Sequence, residues 1–316
     1  MKDELGREIG YLRISLTDRC NLRCRYCMPA EGIEKQCHSD ILSLEEVAEI
    51  AREAVALGVH KIRLTGGEPL VRKGITELCR ELAALPGVDD LALTTNGILL
   101  PKMAEELKTA GVKRLNISLD TLDAEKYSYI TRGGSLAEAV TGIRAAFAAG
   151  FAPIKINTVL IGGFNDDEIP ELAALTRRYP MDVRFIELMP IGEAEDLGEK
   201  AYLSNSTVLE RLPELIPMES SGVAKSYRFP DGLGSVGLIS PLSHAFCSEC
   251  NRIRLTADGF IKPCLHSKEE ISVRGLHGEE LREQLRTAIR HKPEQHGELS
   301  YSERSESQRS MNAIGG

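Results

Sequence analysis

Two groups of cysteines in this chain have the spacing of metal-cluster ligands. Cys20, Cys24 and Cys27 stand as C-x3-C-x2-C in the string DRCNLRCRYCMP. Three thiolates on one short loop can hold three irons of a [4Fe–4S] cube and leave the fourth iron open. A structural zinc site needs a fourth ligand close by, and the nearest candidates, Cys37 and His38, come some ten residues later. An open iron can bind a small molecule through its amino and carboxylate groups. The second group is Cys247 and Cys250 in AFCSECNRIRL, with Cys264 following. A zinc ribbon would repeat the C-x2-C pair, and here the repeat is missing, although His266 could complete a zinc site. If this group instead holds a cluster with an open iron, that iron predicts a second ligand, and the substrate is the natural one. Of the two remaining cysteines, Cys79 falls in the apolar helix pattern ITELCRELAAL and is expected in the core, and Cys37 is given no role.

These loops need a scaffold, and the chain offers an alternating one. Strand-like runs occur at 11–16, 61–66, 90–96, 114–120, 153–160 and 183–188, each but the last followed by a helix-like stretch. The stretches 43–58 and 135–150 both open with Ser, carry Glu three residues later and end at Gly, the chemistry of helix caps. Such alternation predicts a parallel α/β sheet, and period alone does not decide between an open sheet and a barrel. After residue 190 the rhythm breaks. The segment 190–266 is richer in Gly, Pro and Ser, a short helix is expected at 278–290, and composition makes 292–316 a flexible tail. The division expected is therefore 1–190 and 191–316.

Bulk composition narrows the partners. The chain has 316 residues, 42% hydrophobic and 27% charged, the profile of a soluble globular protein. A formal net charge of −8 argues against a nucleic-acid surface, and the absence of a long apolar run argues against a membrane span. The N-terminus has no apolar signal segment, so a cytoplasmic location is expected. In a reducing compartment, clustered cysteines point to metal or redox chemistry before disulfides.

Side chains alternate along a strand, so Lys61, Arg63 and Thr65 share one face, opposite Ile62 and Leu64. In a barrel whose aliphatics face the helices, those cations point inward. The same alternation pairs Arg13 with Ser15, Lys155 with Asn157 and Arg184 with Ile186, so four strands send positive charge toward one interior. Unpaired buried cations cost several kcal/mol each. The cluster therefore predicts a bound polyanion, a triphosphate being the natural one, or water, unless these residues snorkel from strand ends or pair with carboxylates such as Asp120 and Glu187.

With these motifs in view, the chain resembles the radical S-adenosylmethionine (SAM) enzymes. The resemblance is carried by the cysteine loop, Tyr26 before its third cysteine, and LTGGEP at 64–69, whose glycines let a backbone approach a ligand. It narrows over nearly the whole chain to the GTP 3′,8-cyclases of molybdenum cofactor (molybdopterin) biosynthesis. GREIGYLRISLTDRCNLRCRYCMP, KIRLTGGEPLVR, NISLDTLD, KINTVLIGGFND, RFIELMP and FCSECNRIRLTADGFIKPCL carry it.

The resemblance implies a partial (β/α)6 TIM-like barrel with a C-terminal extension, two [4Fe–4S] clusters, SAM, and a lyase reaction on GTP. Cys20, Cys24 and Cys27 would hold one cluster; Cys247, Cys250 and Cys264 the other. Tyr26, Gly67, Ser118 and Met189 match SAM contacts. Arg13, Lys61, Arg63, Thr94, Lys155, Arg184, Arg252 and Arg254 match the GTP set, the last two beside the second cluster. Arg13, Arg252, Arg254, Gly315 and Gly316 match catalytic positions, and the Gly-Gly terminus is expected to reach back to the active site, against the tail reading from composition. An electron donor, cyclic pyranopterin monophosphate synthase downstream and a homodimer are implied in the same way. Two other readings stay open: a radical SAM enzyme that modifies a peptide, and a non-catalytic zinc- or iron-binding module. The inward cations argue against the first, and the GGEP turn with the missing fourth ligands argues against the second.

Overall fold

The computed structural model describes residues 1–33, 40–219, 222–297, 299 and 305–315. Its elements follow the expected alternation. β1 (Tyr11–Ser15) leads through the first cysteine loop to α1 (Leu44–Ala56) and β2 (Lys61–Thr65). Then come α2 (Ile75–Ala83), β3 (Asp90–Thr95), α3 (Leu100–Thr109) and β4 (Arg114–Ser118). Two helices, α4 (Ala124–Thr131) and α5 (Leu136–Ala148), separate β4 from β5 (Ile154–Leu160), where one was expected. α6 (Ile169–Arg178) and β6 (Met181–Glu187) complete the series. All six expected strands are present.

The two helix starts that look alike in sequence differ in structure. Ser43 Oγ accepts from the Glu46 amide at 3.1 Å, and the Glu46 carboxylate accepts from the Ser43 amide at 2.7 Å, a complete capping box. Ser135 makes no side-chain cap, so the second expected box is absent.

Beyond Glu187 the chain adds α7 (Ser206–Arg211), β7 (Ile216–Pro217), β8 (Lys225–Arg228) and β9 (Ser235–Ile239). β10 (Arg252–Leu255), β11 (Phe260–Lys262), β12 (Ile271–Ser272), α8 (Gly278–Arg290) and α9 (Met311–Ile314) follow. The described strands form one sheet in the order β12-β11-β10-β1-β2-β3-β4-β5-β6-β9-β8-β7. The run from β10 to β9 is parallel, and the outer hairpins are antiparallel. The sheet does not close on itself, yet it is curled. Arg13 of β1 and Arg184 of β6 line the same chamber although four strands lie between them.

Helices cover the outer face, where Leu12, Ile14, Ile62, Leu64, Leu93 and Ile156 are fully or almost fully buried. Cys79 belongs to this core, as expected, and its burial pushes the thiol up to about 12. Among the described residues no helix is long and apolar enough to cross a membrane.

The C-terminal segment departs from its composition. The Ser305 amide donates to the Pro190 carbonyl at 3.0 Å, and Asn312 Nδ2 donates to the Asp18 carbonyl at 3.1 Å. Arg309 pairs with both Glu270 and Asp258. Residues 305–315 are thus packed back onto the sheet rather than free. Cys37, His38 and Gly316 lie outside the described residues.

Candidate active site

The first cysteine loop is held from both sides. The amides of Cys27 and Met28 donate to the Cys24 carbonyl at 2.9 and 3.0 Å, closing a tight turn. The amides of Arg23 and Arg25 donate to the carbonyls of Thr131 and Ile130 at the end of α4. Arg132, in the left-handed region at φ 55°, donates to the carbonyls of Arg23 and Met28. Opposite stands the Gly66–Gly67 turn after β2. A side chain at Gly67 would come within 2.4 Å of the Arg19 carbonyl oxygen, and one at Gly66 within 2.4 Å of that of Thr17. The two glycines therefore let two backbone segments approach each other as well as leaving room for a ligand.

Glu68 fastens this contact. Its carboxylate accepts from Thr95 Oγ1 and the Asn96 amide, both at 2.8 Å, and from the Leu70 amide at 3.0 Å. Burial nevertheless lifts it to about 7. Asn96 in turn donates to Asn21 Oδ1 at 2.7 Å, beside Cys20. All three cysteines of the loop are free thiols, and burial is the largest cause raising each above its ordinary range, Cys27 to about 12.

These thiols line a chamber together with Tyr26, Gly67, Thr94, Ser118, Asp120 and Met189. The Tyr26 hydroxyl donates to Asp120 Oδ2 at 2.7 Å, and Asp120 Oδ1 accepts from the Val159 amide. Asp120 and Glu187, the carboxylates that might have neutralised the inward cations, are therefore occupied elsewhere. Glu187 accepts from the amides of Asn205, Leu242 and Ser243.

A second chamber adjoins the first and shares Asn157, Ile186, Met189 and Met311 with it. Its wall carries Arg13, Arg63, Arg184, Arg252, Arg254 and the second cysteine group, Cys247, Cys250 and Cys264. None of the five guanidiniums has an ion-pair partner among the described residues, and Nε of Arg13, Arg63 and Arg252 is buried without a hydrogen bond. Burial, with the mutual repulsion of the cluster, pulls Arg63 down to about 9 and Arg252 to about 10. Arg254 donates to the Gly315 carbonyl, which ties the C-terminal segment to this wall.

The inward cations differ in their pairing. Arg114 pairs with Asp90, and Lys155 with Asp182 at 2.8 Å. The five arginines on the chamber wall stand unpaired among the described residues. Lys155 therefore has a carboxylate partner that its strand pattern did not reveal, and Lys61 lines neither chamber.

Around the second cysteine group, Arg7 uses its whole guanidinium. It bonds Asp3 through Nε at 2.6 Å and donates to the carbonyls of Cys247, Glu294, Lys292 and Pro293. Lys292 Nζ donates to the carbonyls of Arg252 and Pro263. His266, the zinc alternative, has Nδ1 3.1 Å from Ser305 Oγ, and burial is the first cause that lowers it to about 3. Among the described residues no three His, Cys, Asp or Glu side chains converge as a single ion requires. Three thiolates suit a four-iron cube, which attaches each to a different iron, whereas a structural zinc takes four ligands.

Residues 14–176 match the family described as "Radical SAM superfamily", and residues 181–298 match "Molybdenum Cofactor Synthesis C". A GTP 3′,8-cyclase of Alkaliphilus oremlandii is 52% identical over 100% of both chains. One from Moorella thermoacetica is 53% identical over 87% of each. The chain belongs to the GTP 3′,8-cyclase family. Members of this radical SAM family use SAM and two [4Fe–4S] clusters, and the two cysteine triads fit that cofactor set. Among solved structures, SuiB of Streptococcus suis bound to S-adenosylmethionine shares the fold, with a TM-score of 0.64 at 16% identity, covering 89% of this chain and 68% of that one.

Sequence reasoning missed several walls of this GTP 3′,8-cyclase site. Asn157, buried and unpartnered at Oδ1, lines both chambers. The strand pattern puts it on the inward face beside Lys155 but gives it no role. Met311, Lys292 and His296 carry no motif that would single them out.

Proposed function

We propose that the chain converts GTP to 3′,8-cyclo-7,8-dihydro-GTP, the first step of molybdenum cofactor biosynthesis. The observation that carries this reading is the pair of adjoining chambers, one rimmed by three thiols and the other by five unpaired arginines and three more thiols. A triphosphate supplies the charge those arginines lack, and an uncharged peptide segment would not, which sets aside the peptide-modifying alternative. A cluster held by Cys20, Cys24 and Cys27 would supply the reductive cleavage of SAM and with it the radical chemistry that starts at the GTP ribose.

The chain's own residues bind, orient and exclude water. Cys20, Cys24 and Cys27 hold the first cluster; Tyr26, Gly67, Ser118 and Met189 position SAM beside it. Arg13, Arg63 and Arg184 grip the triphosphate, with Lys61, Thr94 and Lys155 supporting the substrate's surroundings. Cys247, Cys250 and Cys264 hold the second cluster, and Arg252 and Arg254 orient the guanosine end toward it. The terminal Gly315-Gly316 acts through Arg254. The shared wall of Asn157, Ile186, Met189 and Met311 keeps donor and acceptor sites adjacent, so the reacting carbon stays away from bulk water. In this reading residues 1–190 form the SAM-cleaving barrel and residues 191–316 the second-cluster and substrate region. The enzyme is cytoplasmic and homodimeric, takes electrons from an external donor and passes its product to cyclic pyranopterin monophosphate synthase.

Anaerobic incubation of the reconstituted protein with SAM, GTP and dithionite tests the proposal. GTP-dependent 5′-deoxyadenosine together with a cyclised nucleotide is expected. SAM cleavage indifferent to GTP would overturn the substrate assignment.

A further inference from the structure

We propose that Tyr11 is a positioning residue for the phosphate chain of the substrate, its ring holding three guanidiniums apart and its hydroxyl donating to a phosphate oxygen. The proposal rests on the reading of the arginine chamber as the GTP site.

Tyr11 opens β1 and is 8% exposed, with its side chain on the wall of the arginine chamber. In the sheet it stands between Arg252 of β10 and Lys61 of β2. The guanidinium carbons of Arg63, Arg13 and Arg252 lie 5.5, 5.8 and 6.0 Å from its ring centre. Three like charges around one ring face and edge repel each other, and the ring quadrupole offsets part of that repulsion while spacing them. Spaced guanidiniums can reach different oxygens of one polyanion; collapsed ones cannot.

A phenylalanine would space the arginines equally well, so the hydroxyl needs its own reason. It is buried and has no hydrogen-bond partner among the described residues. Nε of all three arginines is likewise buried and unsatisfied. Four stranded donors facing one chamber call for a ligand that brings several acceptors, and a phosphate chain does so. Arg252 is in register with Tyr11 itself, and one inward step further Arg13, Arg63 and Arg254 are in register with one another. The hydroxyl thus stands among unpaired arginines.

The phenol is the form that does this. Burial favours the neutral phenol, but the field of Arg63, Arg13 and Arg252 outweighs it and brings the group below its ordinary range in the free enzyme. An arriving triphosphate cancels that field, and the phenol then keeps its proton and donates.

Tyr11→Phe removes one buried oxygen that has no partner in the free protein, so it should leave the thermal midpoint of the ligand-free holoenzyme equal or higher. Affinity for GTP and for inorganic triphosphate should both fall about five- to tenfold, the worth of one hydrogen bond. KM for GTP should rise with kcat held within about twofold, and iron content and SAM binding should be unchanged. Tyr11→His, which keeps a ring and a donor, should recover part of the loss. Wild-type affinity for both probes in Tyr11→Phe would overturn the proposal, and so would an equal loss of affinity for guanosine, which has no phosphates. If wild-type enzyme binds GTP no better than Arg63→Ala does, the reading of the chamber falls instead, and the Tyr11 role with it.

Discussion

The guanidinium of Arg254 donates to the carbonyl of Gly315, so β10 and the C-terminal segment meet at the wall of the arginine chamber. Gly315 adopts φ +77°, and a side chain there would come within 2.5 Å of Thr65 Cγ2. Only glycine reaches this place without displacing β2. Deleting Gly315-Gly316, or replacing Gly315 by Ala, is expected to impair turnover while both clusters stay in place. Product assays beside iron analysis check this, and full activity in the truncated enzyme would detach the terminus from the site.

Arg63 is nearly buried, unpaired and pulled down to about 9 by its surroundings. Arg63→Ala should weaken GTP binding by roughly 1.5–3 kcal/mol, the worth of a charge-assisted hydrogen bond. Equilibrium binding measures it; unchanged affinity would place this side chain outside the pocket.

Reconstituted protein should hold about eight irons, from two four-iron clusters. Cys24→Ala should lose about half of that iron and form no 5′-deoxyadenosine. Continued formation of 5′-deoxyadenosine would sink the assignment of the first loop.

Arg7 lies far from the first cysteine loop in function but ties Cys247 to residues 292–294 through four carbonyls. Arg7→Ala should therefore lower retention of the second cluster selectively. Iron falling from about eight toward four, with SAM cleavage preserved, is the expected pattern. Loss of both clusters together would point to a general role in folding instead.

Glu68 supplies a pH dependence whose sign can be worked out. Its folded-state value of about 7 stands above the ordinary 4.5, so the native state holds this proton more tightly than the unfolded chain. The resulting stabilisation is present in full below about pH 4.5 and is lost as pH rises through 7, a change on the order of 3 kcal/mol. Thermal midpoints of anaerobic enzyme should fall from pH 5 to pH 8 more steeply in wild type than in Glu68→Gln. Parallel slopes would remove Glu68 as the source.

The two cysteine groups and the six-strand series were legible in the sequence because both are local. A C-x3-C-x2-C loop and an alternating strand show themselves within a few residues. Inward cations on four strands were legible for the same reason. What stayed hidden depends on neighbours remote in sequence. Lys155 looks like Arg63 along its strand, yet Asp182 of the next strand neutralises it. Asp120 looks available as a counter-ion until Tyr26 and the Val159 amide are seen to occupy it. Ser135 repeats the cap signature of Ser43 without making the bond. The polar tail defeated composition because a few specific contacts, Arg309 with Glu270 and Asp258 and Arg254 with Gly315, hold it down together with the buried Ile314.

The place of β10 in the sheet bears on how the molecule is made. β1 leaves the ribosome long before β10, with which its outer edge pairs. Until β10 emerges, a nascent chain carries an open row of amide and carbonyl groups beside a largely apolar strand, the kind of edge that recruits other chains. Closing it is a contact between distant parts of the sequence, and such contacts form slowly. Yield of soluble protein should therefore depend on synthesis rate and chaperone supply more than on the stability of the finished fold, and truncations that remove β10 should aggregate rather than leave a smaller working barrel.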